Sequence, residues 1–261
     1  LTYMEFMLLS NCAVAEKIVE RFPSVSVLRH HVPPKFRQLE DFKKLLSTQG
    51  FSFEMTTSKE LADSLDRLQR PNDDFFNKLM RIMTTRCMNE ATYFCSADYD
   101  LQEFYHYGLA APLYTHFTSP IRRYADVLVH RLLAAAIDLE ALPHYMSTMA
   151  VDLGNKLKMA RICDKMNMRH RMARFASRAS SDYHTYLFFK DRKLKEQAIV
   201  TTIGQEGFTV MLPKYGLEST IKFSPEDRAR NDELNKNESI LQVTPIPNLD
   251  VLQQWSPAQN I

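Results

Sequence analysis

Apolar residues recur at helical spacing along most of the first two-thirds of the chain. Met4, Met7, Leu8, Cys12, Ala15, Ile18 and Val19 share one face of a predicted helix over 3–22, which Pro23 ends. Glu5 and Asn11 are its notable polar residues, either solvated or lining a cleft. Residues 24–32 are rich in β-branched side chains between prolines and predict a short strand, in which His30 and His31 read as ordinary edge residues. A helix over about 34–47, a short strand at 51–55 and a short helix at 58–68 follow. Asn72, Asp73 and Asp74 cap a long predicted helix over 75–94, with Phe76, Leu79, Met80, Met83, Cys87 and Ala91 inward. Residues 96–104 are polar and acidic and read as a loop.

The next helix signal is sharper. Ser119 reads as an N-cap and Pro120 as the first helical residue, with Ile121, Tyr124, Ala125, Leu128, Val129 and Leu132 forming an apolar stripe. After Pro143 a long helical pattern covers 151–189, with Met159, Met166, Met168 and Met172 expected to pack. Beyond Lys190 the period changes. Residues 198–203 and 208–212 predict a hairpin, 217–223 a third strand and 239–244 a fourth, a set suited to a small barrel of the OB type. From Pro245 on, the proline-rich tail is expected to be ordered only by docking. There are no internal repeats or low-complexity segments.

Composition narrows the classes. A chain of 261 residues, 45% hydrophobic, can bury one large core or two. Cys12, Cys87, Cys95 and Cys163 lack the paired spacing of structural zinc or a disulfide framework, which suits a reducing, intracellular compartment. The apolar run at 6–15 is too short to span a bilayer and follows Glu5 rather than a basic segment, so neither a membrane helix nor a signal peptide is expected. Leu1 already falls in a helical turn, which suggests a missing upstream segment.

Totals of 33 basic and 31 acidic residues hide an asymmetry. Between Lys156 and Arg178 lie eight basic residues, Arg169 and Arg174 among them, against one acid, Asp164. That is either a solvated face or a surface for a polyanion. The same question arises at Ser119-Pro120-Ile121-Arg122-Arg123. A helix N-terminus favours acids, yet this one carries two arginines in its expected first turn. Either Arg122 makes an ordinary ion pair with Asp126, four residues on, or backbone N–H groups and guanidinium forks together hold a phosphate.

Residues 106–133, HYGLAAPLYTHFTSPIRRYADVLVHRLL, resemble the signature of the RNase II/RNase R (RNB) exoribonucleases, most of all their eukaryotic exosome branch. The resemblance extends to 5–11, 86–94, 167–173 and 212–218. It implies an α+β architecture: the mainly helical C-terminal part of an RNB catalytic domain (1–192), an OB-fold barrel (193–245) and a tail (246–261). It further implies three-prime-to-five-prime hydrolysis of single-stranded RNA to nucleoside 5′-monophosphates, in RNA and rRNA processing and decay, in the nucleus or cytoplasm, with exosome core subunits as partners and no membrane. Two magnesium ions held by clustered aspartates would do the cutting. That cluster is missing from these residues, so its ligands are expected upstream, with no metal site in this chain. By the same resemblance Arg122 would sit at the scissile phosphate and Glu5 near the terminal nucleotide. Tyr114, His116, Thr118, Ser119, Arg123, Arg169 and Arg174 would contact RNA. The alternative is a non-catalytic RNA-binding or scaffold protein that lacks the metal site. A helical interaction module without RNA affinity is a third reading.

Overall fold

A computed structural model describes residues 2–34, 36–48, 50–71, 73, 75–143, 146, 153–192, 194, 196–203, 206–223 and 245–249. The chain divides into two compact units, 1–173 and 174–261, with the long helix α6 (Leu153–Phe189) contributing to both.

In the first unit, helix α1 (Thr2–Arg21) packs on α5 (Tyr124–Ala136), beside a two-stranded antiparallel sheet of β1 (Val27–His30) and β2 (Thr92–Cys95). Val14, Ala15, Ile18, Leu28, Phe94, Leu128, Val129, Leu132 and Met159 form the shared core. The helix predicted at 3–22 is present, but the buried line is Asn11, Val14, Ala15 and Ile18. Met4 and Met7 are exposed, because the cover over α1 begins only near Asn11.

A second group of helices, α2 (Phe36–Thr48), α3 (Ser58–Arg67) and α4 (Phe76–Cys87), packs together around buried Leu46, Phe53, Leu68, Phe76 and Leu79. A Thr57–Glu60 capping box starts α3, and Asp73 Oδ1 accepts the N–H groups of Phe75 and Phe76 at the start of α4.

Two expectations fail here. Residues 51–55 are not a strand: Phe51 stacks on Phe76, Phe53 meets Phe42 edge-on, and the Glu54 N–H bonds to Ser64 Oγ instead of a neighbouring strand. Nor does α4 run to Phe94. It stops at Cys87, Met88 turns extended, and Thr92–Cys95 pairs with β1. The β-branched and aromatic run Thr-Tyr-Phe finds a partner strand, and pairing overrides the helical period. Asn167 of α6 then closes the outer edge of β2: its Oδ1 accepts the Tyr93 N–H and its Nδ2 donates to the Tyr93 carbonyl, both at 2.8 Å.

Along α6, Met159 is buried and Met166 half-buried, whereas Met168 and Met172 are exposed, contrary to the packing expected of them.

The second unit holds a four-stranded antiparallel sheet in the order β5-β4-β3-β6, from β3 (Glu196–Ile203), β4 (Gly207–Leu212), β5 (Leu217–Lys222) and β6 (Pro245–Leu249). The expected hairpin and third strand are present, with Ile203 opposite Phe208 and Leu212 opposite Leu217. Gly216, at φ 65°, makes the second turn. Gly207 passes so close to β5 that a Cβ would lie 2.1 Å from the Ile221 carbonyl oxygen. The strand expected at 239–244 lies outside the described residues. The start of the proline-rich tail is a strand docked on β3: Pro245 faces Ile199 and Ile246 faces Ala198. Pro245 and Pro247 are tolerated there because, among the described residues, β6 is an edge of this sheet, where an amide can be dispensed with.

Candidate functional site

The loop from His106 to Arg123 is tied down along its length before it reaches the arginines. His31 donates from Nε2 to the Asn89 carbonyl at 2.8 Å and accepts the Gly108 N–H on Nδ1 at 3.0 Å. His30 is buried, its ring nitrogens engaged by the Glu103 carbonyl and Thr92 Oγ1, each at 3.0 Å. Neither is the ordinary edge residue its strand position suggests.

Further on, the Arg29 N–H bonds to the Tyr114 carbonyl at 2.9 Å, and Thr115 Oγ1 donates to the Val27 carbonyl at 2.7 Å. From the other side Asn11, 3% exposed, donates to Tyr114 Oη at 3.0 Å and accepts the Phe117 N–H at 2.9 Å. His130 donates to the Phe117 carbonyl at 2.9 Å and stacks on the Phe117 ring.

His116 sits half-buried inside this frame, its Nδ1 accepting from Tyr93 Oη at 2.6 Å. Burial, reinforced by the Arg29 and Arg123 guanidinium groups, lowers its pKa to about 3. The imidazole is therefore neutral and an acceptor at pH 7, and the phenol of Tyr93, its own pKa raised by burial, remains a donor.

The turn itself corrects the expected helix start. Helix α5 begins at Tyr124, and Arg123 is its extended N-cap at φ −129° and ψ 120°. Ser119 to Arg122 form a separate turn, in which the Ser119 carbonyl accepts the N–H groups of Arg122 and Arg123, both at 3.2 Å. The acid that the helix dipole calls for is present as well: fully buried Asp126 stands in the first turn of α5. Its partner is Arg123, not Arg122. Arg123 Nε and Nη2 reach the carboxylate at 2.8 Å each, the Ser119 N–H reaches it at 2.7 Å, and Arg123 Nη2 also touches Thr118 Oγ1 at 3.5 Å. Pro120, Ile121 and Arg122 form an exposed tip, and the Arg122 side chain makes no hydrogen bond or ion pair to a described residue.

One loop thus gathers Tyr114, His116, Thr118, Ser119, Arg122 and Arg123. Tyr114 is buried, its hydroxyl engaged by Asn11. Glu5 is exposed in the first turn of α1, and Arg169 is exposed on α6; the described contacts join neither to the loop. Arg174 belongs to the second unit. Sequence reasoning missed Tyr93, Arg29 and Asn167, and it did not assign Asn11 its place. Asn11 could have been found, because it continues the line of Val14, Ala15 and Ile18. Among the described residues no group of three or more His, Cys, Asp or Glu side chains could hold a metal ion. The carboxylate in the loop, Asp126, is fully engaged by Arg123 and Ser119, so these residues do not fit a magnesium centre.

A mainly helical α+β unit with an arginine-tipped turn, followed by a small antiparallel sheet, is the class of protein this fold defines. Residues 2–138 match the RNB domain, and the chain belongs to that family. The human exosome complex exonuclease RRP44 is 46% identical over 226 residues, covering 86% of this chain and 22% of that protein. Apo RNase R of Mycoplasma genitalium shares the fold, with a TM-score of 0.67 at 22% identity over 84% of this chain and 33% of the other. Yeast Ssd1, described as a pseudonuclease, gives 0.60 at 26% identity over 84% of this chain and 26% of its own. The chain spans about a fifth of the length of the curated relatives it matches. No helix among the described residues is long and apolar enough to cross a membrane.

Proposed function

We propose that this chain is the phosphate-gripping part of a three-prime-to-five-prime exoribonuclease acting on single-stranded RNA. The observation that carries the reading is the division of labour between neighbouring arginines. Arg123 is neutralised by Asp126, while Arg122 is presented on an exposed tip without a described partner. A guanidinium held this way can meet the charge that develops on a phosphate under attack.

In this reading Asn11, Tyr114 and Thr115 fix the loop, Arg123 and Asp126 shape the turn, and Arg122 contacts the scissile phosphate. Glu5 lies near the terminal nucleotide, and Arg169 and Arg174 take backbone phosphates without regard to sequence. Residues 1–192 are the catalytic-domain part, and the sheet that follows belongs to an OB-type platform. Magnesium would supply the nucleophilic water, held by aspartates outside these residues, so this chain alone binds RNA without cutting it. Kinship with RRP44 supports exosome core subunits as partners and an intracellular role in RNA processing and decay.

The test is a chimera in which this chain replaces the matching segment of human RRP44. Arg122→Ala should lower turnover by about 10²–10³-fold with little change in RNA affinity. Unchanged turnover would remove Arg122 from the mechanism.

A second reading, an RNA-binding protein without catalysis, is favoured by the likeness to a pseudonuclease. A chimera that binds RNA yet never hydrolyses it, while intact RRP44 does, would select that reading.

A further inference from the structure

We propose that a cleft of about 370 Å³ in the second unit, between the last turns of α6 and the β4–β5 hairpin, is a stacking subsite for one nucleobase of single-stranded RNA. The proposal rests on the RNA-binding reading above and gives it a second, separate address.

The cleft is shallow and open to solvent, so a planar ring can lie against its walls. The walls are rings. Phe188 and Phe189 meet edge-to-face at 4.9 Å, Phe189 meets Tyr215 the same way at 5.1 Å, and His184 and Leu217 complete the lining. Phe189 is buried and anchors the wall, whereas Phe188 is 46% exposed.

Tyr215 is held in place, because its hydroxyl donates to Glu196 Oε1 at 3.2 Å. Glu196 is also ion-paired with Lys214. The Arg192 guanidinium lies over the Phe188 ring, 4.2 Å from its centroid, and exposed Lys190 and Asp191 precede it in the chain. Aromatic walls with the Arg192 guanidinium beside them fit a base joined to a phosphate better than they fit an apolar side chain of a protein partner. Every base has a π-face, so the subsite tolerates any sequence.

The experiment measures binding of fluorescein-labelled U12 and A12 oligoribonucleotides to the 261-residue chain by anisotropy across a salt series. Phe188→Ala and Phe188→Leu should each weaken both oligonucleotides about tenfold. The slope of log K against log salt should stay unchanged, because stacking releases no counterions. Phe188→Trp should retain binding, and an oligonucleotide carrying 5-iodouridine should crosslink under ultraviolet light to the peptides containing Phe188 or Tyr215. Wild-type affinity in Phe188→Leu would overturn the subsite and leave the RNA reading standing. Crosslinks to the chain that avoid both peptides would do the same. If N-acetylphenylalanine amide shifts the Phe188 and Tyr215 ring resonances while AMP and UMP do not, the cleft docks protein and the proposal fails. Absence of binding by the wild-type chain at low salt would defeat the RNA reading and the subsite with it.

Discussion

Asp126 receives Nε and Nη2 of Arg123 at 2.8 Å each across the first turn of α5, and this fork decides the fate of two adjacent arginines. The carboxylate is fully buried and Arg123 is about a quarter exposed, so the pair is partly withdrawn from water. Arg122, one residue earlier, is left at the exposed tip.

The two substitutions should therefore differ in kind. Arg123→Ala leaves a buried carboxylate with only the Ser119 N–H, and should cost about 2–3 kcal/mol of folding stability, below the usual range for a fully buried pair because Arg123 is partly solvated. Arg122→Ala should stay within about 0.5 kcal/mol. Urea unfolding of both variants checks this, and equal losses would contradict the division of roles. Arg123→Lys should not restore wild-type stability, since an ammonium cannot reproduce the two-pronged contact.

Asn11 serves the loop from the opposite side. Replacing it with Ala removes a donor to Tyr114 Oη and an acceptor for the Phe117 N–H, both in a nearly dry setting. The expected loss is about 2–3 kcal/mol, and Asn11→Asp should not recover it, because a carboxylate cannot donate to the phenol. In the RRP44 chimera the same change should lower turnover together with RNA affinity, because it moves the whole loop. A variant as stable and active as the parent would show that Asn11 does not hold the loop.

What could be read from the chain followed local physics. The helices α1, α3 and α6 and the β3–β4–β5 meander were legible because period and turn residues agree there. Two places misled. At 92–94 a helical period continued into residues that in fact pair with β1, and no local signal reports a partner more than 60 residues away. At Ser119-Pro120 a sound N-cap signature marks a turn rather than the helix start, because Asp126 draws in the Ser119 N–H and the Arg123 side chain and resets the start to Tyr124. The arginine-rich turn was visible as an anomaly; which arginine is neutralised depends on side-chain geometry that spacing alone does not carry.

The clasp of Asn167 on β2 can be tested at one amide. Asn167→Ala frees both backbone groups of Tyr93 in a half-buried setting and should cost about 1–2 kcal/mol. Exchange of the Tyr93 amide proton should accelerate by more than global unfolding accounts for, since the edge opens locally. Unchanged protection of that amide would mean another group takes the place of Asn167.

Acid should loosen the loop through His116. Its folded pKa of about 3 lies well below the ordinary histidine value, with burial the first cause and the Arg29 and Arg123 charges next, while Asp126 pulls the other way. His106 behaves alike, lowered to about 4 by burial and by His31. A depressed pKa means that the unfolded chain binds the proton more readily. Each imidazole thus contributes stability that is complete above about pH 6.5 and is lost as pH falls toward the folded value. By pH 5 the loss should reach about 1–2 kcal/mol per histidine, after allowing for partial solvent access. Urea midpoints at pH 7, 6 and 5 measure it. In His116→Gln, which keeps an acceptor for Tyr93 but cannot titrate in this range, the decline should be shallower by that amount. A wild-type protein as stable at pH 5 as at pH 7 would show that His116 and His106 are not held neutral by the fold.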